Sequence, residues 1–341
     1  MVELADAPDS KSGGVKSVSV RPRSSAPVKP SDFQTVFFFY VNERNLDIMD
    51  KLVRGNSTDG SIRVFAAVTT DLVNEAHRIH DSSATASAAL GRLLTAAAIM
   101  GAQLKNEDDS VTLQINGDGP LGILIAVTDS SSRVRGYMAN PQTDLPLNKK
   151  GKLDVGGAIG KGYLSVIRDL GMKEPYIGRT PLVTGEVAED LTYYFAKSEQ
   201  LPTAIALGVL VDTDLSIKAA GGYMIQLMPE ATEETAEKLT EIVYNLPPVT
   251  DMITEGMGAE DIAFAVTNGF DMLIETNCPE PKYECKCSRE RMERALISIG
   301  KKELRELIDE QGEAEMCCQF CDKKYNFDKA ELESLYENAK G

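Results

Sequence analysis

From residue 51 onward, the spacing of apolar and polar positions predicts a mixed helix and sheet core. Short apolar runs at 52–54 and 62–66 flank a turn at 55–60 and predict a hairpin. Thr69 or Thr70 is placed to cap a helix reaching about His80, and a second helix is predicted from Ser83 to about Leu104. The second is rich in alanine, so neighbouring backbones can approach it closely. Strands follow at 111–115, 121–127 and 133–138, joined by the Asn116-Gly117-Asp118-Gly119 turn and a turn at 129–132. A strand at 164–168, a helix at 185–199 and a strand pair at 207–211 and 217–227 complete a first region ending near Pro229. This order of elements predicts an α+β fold.

Beyond Pro229 the period becomes helical. Thr232 caps a helix whose apolar face holds Thr235, Leu239, Ile242 and Val243, and which stops before Leu246-Pro247-Pro248. Two shorter helices follow at 250–256 and 259–266. Helices this short are marginal alone and must dock on something. Further on, Ser288 caps a helix carrying Met292, Ala295, Leu296 and Ile299, and a second short helix covers 302–309. A closing helix begins at Asp328 with Glu331 at the reciprocal capping position, and buries Leu332, Leu335 and Tyr336. The chain therefore divides into an extension over 1–48, an α+β core over 49–230, a metastable helical linker over 231–284 and a small carboxyl-terminal module over 285–341. The extension is rich in Ser, Pro, Lys and Arg and lacks the apolar area to offset its ordering entropy, so it is expected to be largely disordered; Phe37-Phe38-Phe39-Tyr40 interrupts that composition.

Composition removes several classes of function. A net charge of -16 with no basic patch argues against a nucleic-acid surface, and 6% aromatic residues without tryptophan supply few stacking platforms. No run of 18 apolar residues predicts a membrane span. Glu3, Asp6 and Asp9 disfavour an organelle-targeting reading of the extension, and six clustered cysteines fit a reducing compartment, so a cytoplasmic location is expected. The glycine cluster at 156–162 lacks the phosphate-loop spacing and has Gly162 where a Mg²⁺-binding Ser or Thr would stand; a tight strand connection is the expectation. His77 and His80 lie three apart on one helix, which favours local packing or exposure over metal binding or catalysis.

Candidate chemistry concentrates at the carboxyl end, where the first cysteine of the chain is Cys278. Cys285-x-Cys287 and Cys318-x-x-Cys321 form two short pairs whose separation allows a tetrahedral thiolate site. From Cys278 to the end, 27 of 64 residues are charged, a composition too poor in apolar groups to fold by core burial alone. A structural zinc ion held by Cys285, Cys287, Cys318 and Cys321 supplies the missing folding energy, of order 10 to 16 kcal/mol in peptide fingers. Unligated cysteines or an iron–sulfur centre are the competing readings, while a catalytic zinc is disfavoured because four thiolates leave no open position. Closely spaced thiolates also carry redox chemistry: an oxidant attacks one, and its neighbour resolves the sulfenic acid as a disulfide. Cys317, vicinal to Cys318, is read as a buried or spare thiol; Cys278 is a second extra thiol, and either could join the disulfides.

The run Cys285-Lys-Cys287-Ser-Arg-Glu-Arg-Met-Glu-Arg-Ala-Leu-Ile-Ser-Ile-Gly300, with Gly312-Glu-Ala-Glu315 and Cys318-Gln-Phe-Cys321, resembles the redox switch of the bacterial thirty-three-kilodalton heat-shock chaperonin family, a group of zinc holdases. The likeness continues upstream in Thr85-Ala-Ser-Ala-Ala-Leu-Gly-Arg92, Leu113-Gln-Ile-Asn-Gly-Asp-Gly-Pro-Leu-Gly122, Gly151-Lys-Leu-Asp-Val-Gly-Gly157, Gly185-Glu-Val-Ala-Glu-Asp-Leu-Thr-Tyr-Tyr-Phe195 and Gly221-Gly-Tyr-Met-Ile-Gln-Leu-Met-Pro229. It covers about 49–335; the extension, Cys278 and Cys317 depart from it. The resemblance implies a redox-regulated, ATP-independent holdase and not an enzyme, with one Zn²⁺ per reduced chain on Cys285, Cys287, Cys318 and Cys321. It further implies that oxidants close a disulfide within each pair, expel zinc and unfold the module and linker. Unfolding client proteins, a homodimer in the oxidised state and hand-over to ATP-dependent foldases are the implied partners. Leu239, Ile242, Val243, Met252 and Ile253 are candidate client contacts, each also explained by helix packing. The alternative is a constitutive zinc-stabilised protein-binding module without switching. A thiol oxidoreductase is weaker still, since it needs an unligated, accessible thiol.

Overall fold

The computed structural model describes residues 17–19 and 49–338, in two compact units that meet in sequence at Tyr283 and Glu284. The rest of the expected extension, with the aromatic run at 37–40, lies outside the described residues.

In the first unit, β2 (Lys51–Ser57) and β3 (Ile62–Val68) form the predicted hairpin and lead into α1 (Thr70–His80) and α2 (Ala84–Gly101). Strands β4 (Ser110–Gly117), β5 (Ile123–Asp129) and β6 (Arg133–Met138) come next, then a short helix α3 (Val155–Ile159), β7 (Gly162–Asp169) and β8 (Tyr176–Pro181). Helix α4 (Val187–Tyr194) runs into a π turn at Phe195–Glu199, followed by β9 (Thr203–Val211) and β10 (Ile217–Leu227). The unit ends with α5 (Glu233–Asn245), α6 (Val249–Thr254), α7 (Ala259–Val266), β11 (Met272–Glu275) and β12 (Lys282–Tyr283).

The strands make two sheets. One has the order β1-β11-β2-β3-β10-β9, where β1 is Ser17–Ser19, and the other the order β12-β6-β5-β4-β7-β8. All neighbours are antiparallel except β12, which runs parallel to β6. Helix α2 packs against β3, β9 and β10 of the first sheet and β4, β5 and β6 of the second. That position explains its composition: a helix covered on both sides has no polar face to keep. Among the described residues it is the one helix long and apolar enough to cross a membrane, yet 89% of it is buried.

The first sheet's other face is covered by the helices that the sequence assigned to a linker. Helix α6 packs on β9 and β10, and α7 on β2 and β3. Met252, Ile253, Ile262, Ala263 and Val266 join Val53, Val64, Ala66 and Ile225 in one buried cluster. Helix α5 buries a single side chain, Leu239; Val243 is partly covered and Tyr244 is 87% exposed. Docking thus falls unevenly on the three helices.

Several local expectations are corrected. The turn expected at 55–60 is shorter, because Gly55 lies inside β2 opposite Ile274; a Cβ there would meet the Ile274 Cδ1 at 2.4 Å. Thr69 does not cap α1 through its side chain: its hydroxyl pairs with that of Thr95 at 2.7 Å. Asp50 replaces it, its carboxylate accepting from the amides of Asp71 at 3.0 Å and Leu72 at 2.7 Å. The glycine cluster is a helical turn, α3, capped by Asp154 accepting from the Gly157 amide at 3.0 Å. Strands β8, β11 and β12 escaped sequence reading; β8 carries outward Tyr176 and Ile177 and ends at Pro181, and the other two hold four and two residues.

Burial raises the Asp50 carboxyl from 3.8 to about 7, against the lowering effect of the Leu72 and Asp71 amides. An acid raised by folding keeps its proton longer in the folded than in the unfolded chain, so its stabilising contribution is full at low pH and declines as pH climbs through this window. Asp50→Asn, which cannot ionise, should therefore show a flatter fall in Tm between about pH 4 and 7 than the parent. Thermal melts across that range check this; parallel curves would contradict it.

Candidate metal centre

The second unit begins at Glu284, immediately before the first cysteine pair. Cys285 and Cys287 lie on extended chain that turns into α8 (Arg289–Ser298), whose N-cap Ser288 accepts from the Arg291 amide as expected. Arg291 donates back to the Lys286 carbonyl at 3.1 Å, which fixes the bend between the two cysteines. Helix α9 (Lys301–Glu310) follows Gly300, whose φ of 103° reverses the chain.

The second pair sits on a hairpin that the sequence did not reveal, β13 (Glu313–Cys317) and β14 (Lys324–Asp328). Its loop is a tight knuckle: the Cys318 amide donates to the Lys323 carbonyl at 3.0 Å, and the Cys318 carbonyl accepts from Cys321 at 3.2 Å and Asp322 at 2.8 Å. Asp322 takes the left-handed conformation that closes the turn, which Asp tolerates better than most residues. The predicted capping box opens α10 (Lys329–Asn338): the Asp328 amide donates to Glu331 at 3.0 Å and the Glu331 amide to Asp328 at 2.9 Å.

These elements bring the sulfurs of Cys285, Cys287, Cys318 and Cys321 within 4.8 Å of one another. Two of the separations run between the pairs, 3.6 Å from Cys285 to Cys318 and 3.4 Å from Cys287 to Cys321. A tetrahedron with Zn–S bonds of about 2.3 Å has edges of about 3.8 Å, so the four atoms fit a zinc ion with little adjustment. They are far outside bonding distance, since a disulfide is about 2.05 Å long, and all are free.

The electrostatics of the cluster also suit a cation. Burial pushes the Cys285 thiol up to about 11, and burial likewise raises Cys321, each donating toward its neighbours. Burial opposes ionisation of Cys287 too, but hydrogen bonds from Tyr325 and from the Cys321, Cys285 and Cys318 thiols outweigh it and lower it to about 7. One thiolate surrounded by donors is the metal-free solution; four thiolates require a divalent charge among them. Tyr325 donates its hydroxyl to the Cys287 sulfur at 3.2 Å, a contact that orients this side chain.

The surrounding core is small. Leu296, Leu304, Ile308, Tyr325, Phe327 and Leu332 are its buried apolar residues, with Cys287, Met292 and Leu335 packed against them. Arg289 clasps it, its guanidinium 4.3 Å over the Phe327 ring while donating to the Asn326 carbonyl at 3.0 Å and Glu331 at 2.6 Å. Nothing in the spacing of charges announced that clasp. Cys317 is exposed, not buried, because β13 alternates and turns it to the face of Glu313 and Glu315. Cys278 is half-buried in the first unit. His77 pairs with the Ser87 hydroxyl at 3.1 Å, and His80 lies 3.0 Å from the Gly136 carbonyl oxygen, so both serve packing.

An α+β core of two sheets about a buried helix, followed by a compact four-thiol module, defines a class of protein whose carboxyl-terminal cysteines can hold a metal ion. Comparison makes the class specific. The family model described as "Hsp33 protein" matches residues 50–328. The chain is 51% identical over 287 residues to the 33 kDa chaperonin of Clostridium acetobutylicum, covering 84% of this chain and 97% of that protein. It is 52% identical over 290 residues to that of Clostridium perfringens strain SM101, covering 84% and 92%. The crystal structure of the 33 kDa chaperonin (Hsp33) from Thermotoga maritima matches with a TM-score of 0.78 at 39% identity, over 85% of this chain and 98% of that one. The chain belongs to the Hsp33 family.

If the four sulfurs are the ligand set, Cys318→Ser should be isolated with well under one zinc per chain, whereas Cys317→Ser should retain one. Metal analysis of the purified variants checks this, and zinc loss from Cys317→Ser would contradict the assignment.

Proposed function

We propose that this Hsp33-family chain is an ATP-independent chaperone, not an enzyme, and that oxidation of its four-cysteine module switches on its capacity to hold unfolding proteins. The close approach of Cys285, Cys287, Cys318 and Cys321 carries the reading. Bound zinc would hold all four sulfurs as thiolates, the reactive form of cysteine, in a module whose own core is small.

Each pair then has a defined redox step. Its two thiolates together lose two electrons, one S–S bond forms, and one hydrogen peroxide takes up those electrons with two protons from solvent to leave as two waters. Disulfides within each pair, Cys285 with Cys287 and Cys318 with Cys321, leave no thiolate to bind metal. A disulfide of about 2.05 Å is much shorter than the about 3.8 Å edge of a zinc tetrahedron, so forming bonds within the pairs requires the sulfurs to leave a metal-binding arrangement. Oxidation and loss of the module's fold are thereby coupled.

Release of the linker supplies the client surface in this account. Detaching α6 and α7 would uncover Val53, Val64, Ala66 and Ile225 on the first sheet together with the helices' own Met252, Ile253, Ile262 and Val266. Each large apolar side chain so exposed forgoes about 1.5–3 kcal/mol of burial, which an unfolding client's apolar segments can restore. Helix α5, which buries only Leu239 and partly covers Val243, is the weakest attachment. Clients are unfolding polypeptides; the oxidised form is a homodimer that passes them to ATP-dependent foldases after reduction, and the reducing cytoplasm keeps the resting thiols free.

The test follows aggregation of a chemically denatured client with reduced and peroxide-treated protein, alongside zinc release to a chromophoric indicator. Zinc release with suppression of aggregation only after oxidation is the expected result. Retained zinc and equal activity in both states would replace the switch with a constitutive binding module.

A further inference from the structure

The structure ends its first unit with an unusual attachment. Strand β12 holds two residues, Lys282 and Tyr283, paired in parallel with Arg133 and Val134 of β6. The Lys282 amide donates to the Ser132 carbonyl at 3.1 Å. So short a strand is marginal alone. The Tyr283 side chain compensates by reaching further along β6 than the strand itself does.

At Gly136 the tyrosine hydroxyl takes the place of a neighbouring strand. It donates to the Gly136 carbonyl at 2.9 Å and accepts from the Gly136 amide at 3.3 Å. The last residue of α1 completes the arrangement: His80 Nε2 lies 3.0 Å from the same carbonyl oxygen and 3.3 Å from the tyrosine oxygen. Both are acceptors toward it, which places a proton on Nε2. The hydroxyl thereby uses its one hydrogen and both lone pairs. Tyr283 and Cys278 also pack, partly buried, against the main core cluster, so the segment approaching the module is fastened by apolar contact and by hydrogen bonds.

One residue, Glu284, separates this fastening from Cys285. Anything that disorders the chain around Cys285 must therefore open the Tyr283 contacts before it can reach β11 and the helices covering the first sheet. We propose that the Tyr283 hydroxyl, closed on Gly136 and His80, is a latch that makes release of the linker a separate step after opening of the cysteine module. The gating role rests on the switch proposed above, whereas the latch itself belongs to the reduced fold and can be measured without it.

The experiment uses the full chain carrying Tyr283→Phe, which keeps the ring and removes the hydroxyl. In the reduced, zinc-loaded state, hydrogen exchange followed by mass spectrometry should be about tenfold faster than the parent in peptides spanning 272–283, with 110–129 unchanged. After peroxide, zinc release should keep the parent's rate, while the delay between zinc release and suppression of client aggregation should shorten severalfold. Unchanged exchange at 272–283 would overturn the latch, and faster exchange with an unchanged delay would overturn its gating role. Should Tyr283→Phe fail to fold, His80→Ala removes the imidazole from the hydroxyl and should accelerate the same peptides about threefold; no acceleration there would equally overturn the latch. A parent that never gains holdase activity defeats the proposed switch and with it the gating, but the reduced-state exchange still decides the latch.

Discussion

Four sulfur atoms within 4.8 Å of one another cannot all be charged unless a cation lies among them. The module's architecture follows from that constraint. Its hairpin knuckle and the bend before α8 each present two sulfurs, and they meet across a core of six buried apolar residues. A cation bound there would turn that repulsion into an attraction that orders the domain. A fold held in this way depends on the chemical state of its ligands more than on its packing.

The first unit is stabilised differently. Helix α2 lies between two sheets and the core cluster around it is extensive, so this part needs no ligand. Its outer layer is less secure. Helices α6 and α7 bury a second cluster on the far face of the first sheet, α5 adds one buried residue, and the layer ends in the two-residue strand β12. A large core, a docked helical layer and a four-thiol module with a small core thus follow one another along the chain in order of decreasing apolar burial. That gradation suits the proposed switch, in which the part that exposes apolar groups would answer to the cysteine module without being part of the main core.

Much of this was legible in the sequence because its signals are local. The helix spanning Ala84–Gly101, the caps at Ser83, Thr232 and Ser288, and the Asp328–Glu331 box all rest on residues within a few positions of each other. The cysteine spacing likewise named the residues that the fold brings together. What escaped depends on distant partners. Asp50 caps a helix that begins twenty residues later, and Gly55 is explained only by Ile274 lying against it. The strand at Met272–Glu275 has four residues and takes its meaning from pairing with β2. Tyr325 could be anticipated as an aromatic near the site, because it alternates with Phe327, but its hydroxyl contact with Cys287 depends on how the hairpin turns.

The central claim is that the metal, through Cys285, Cys287, Cys318 and Cys321, supplies the folding energy of the carboxyl-terminal module. The most direct measurement is the amide NMR spectrum of the reduced full-length chain before and after zinc is removed with a chelator, with no oxidant present. The account predicts that resonances from 284–338 collapse to the narrow dispersion of unfolded chain and return on adding zinc, while those of the two-sheet core between 51 and 227 stay in place. A module that keeps its dispersed resonances after the metal has gone would contradict it.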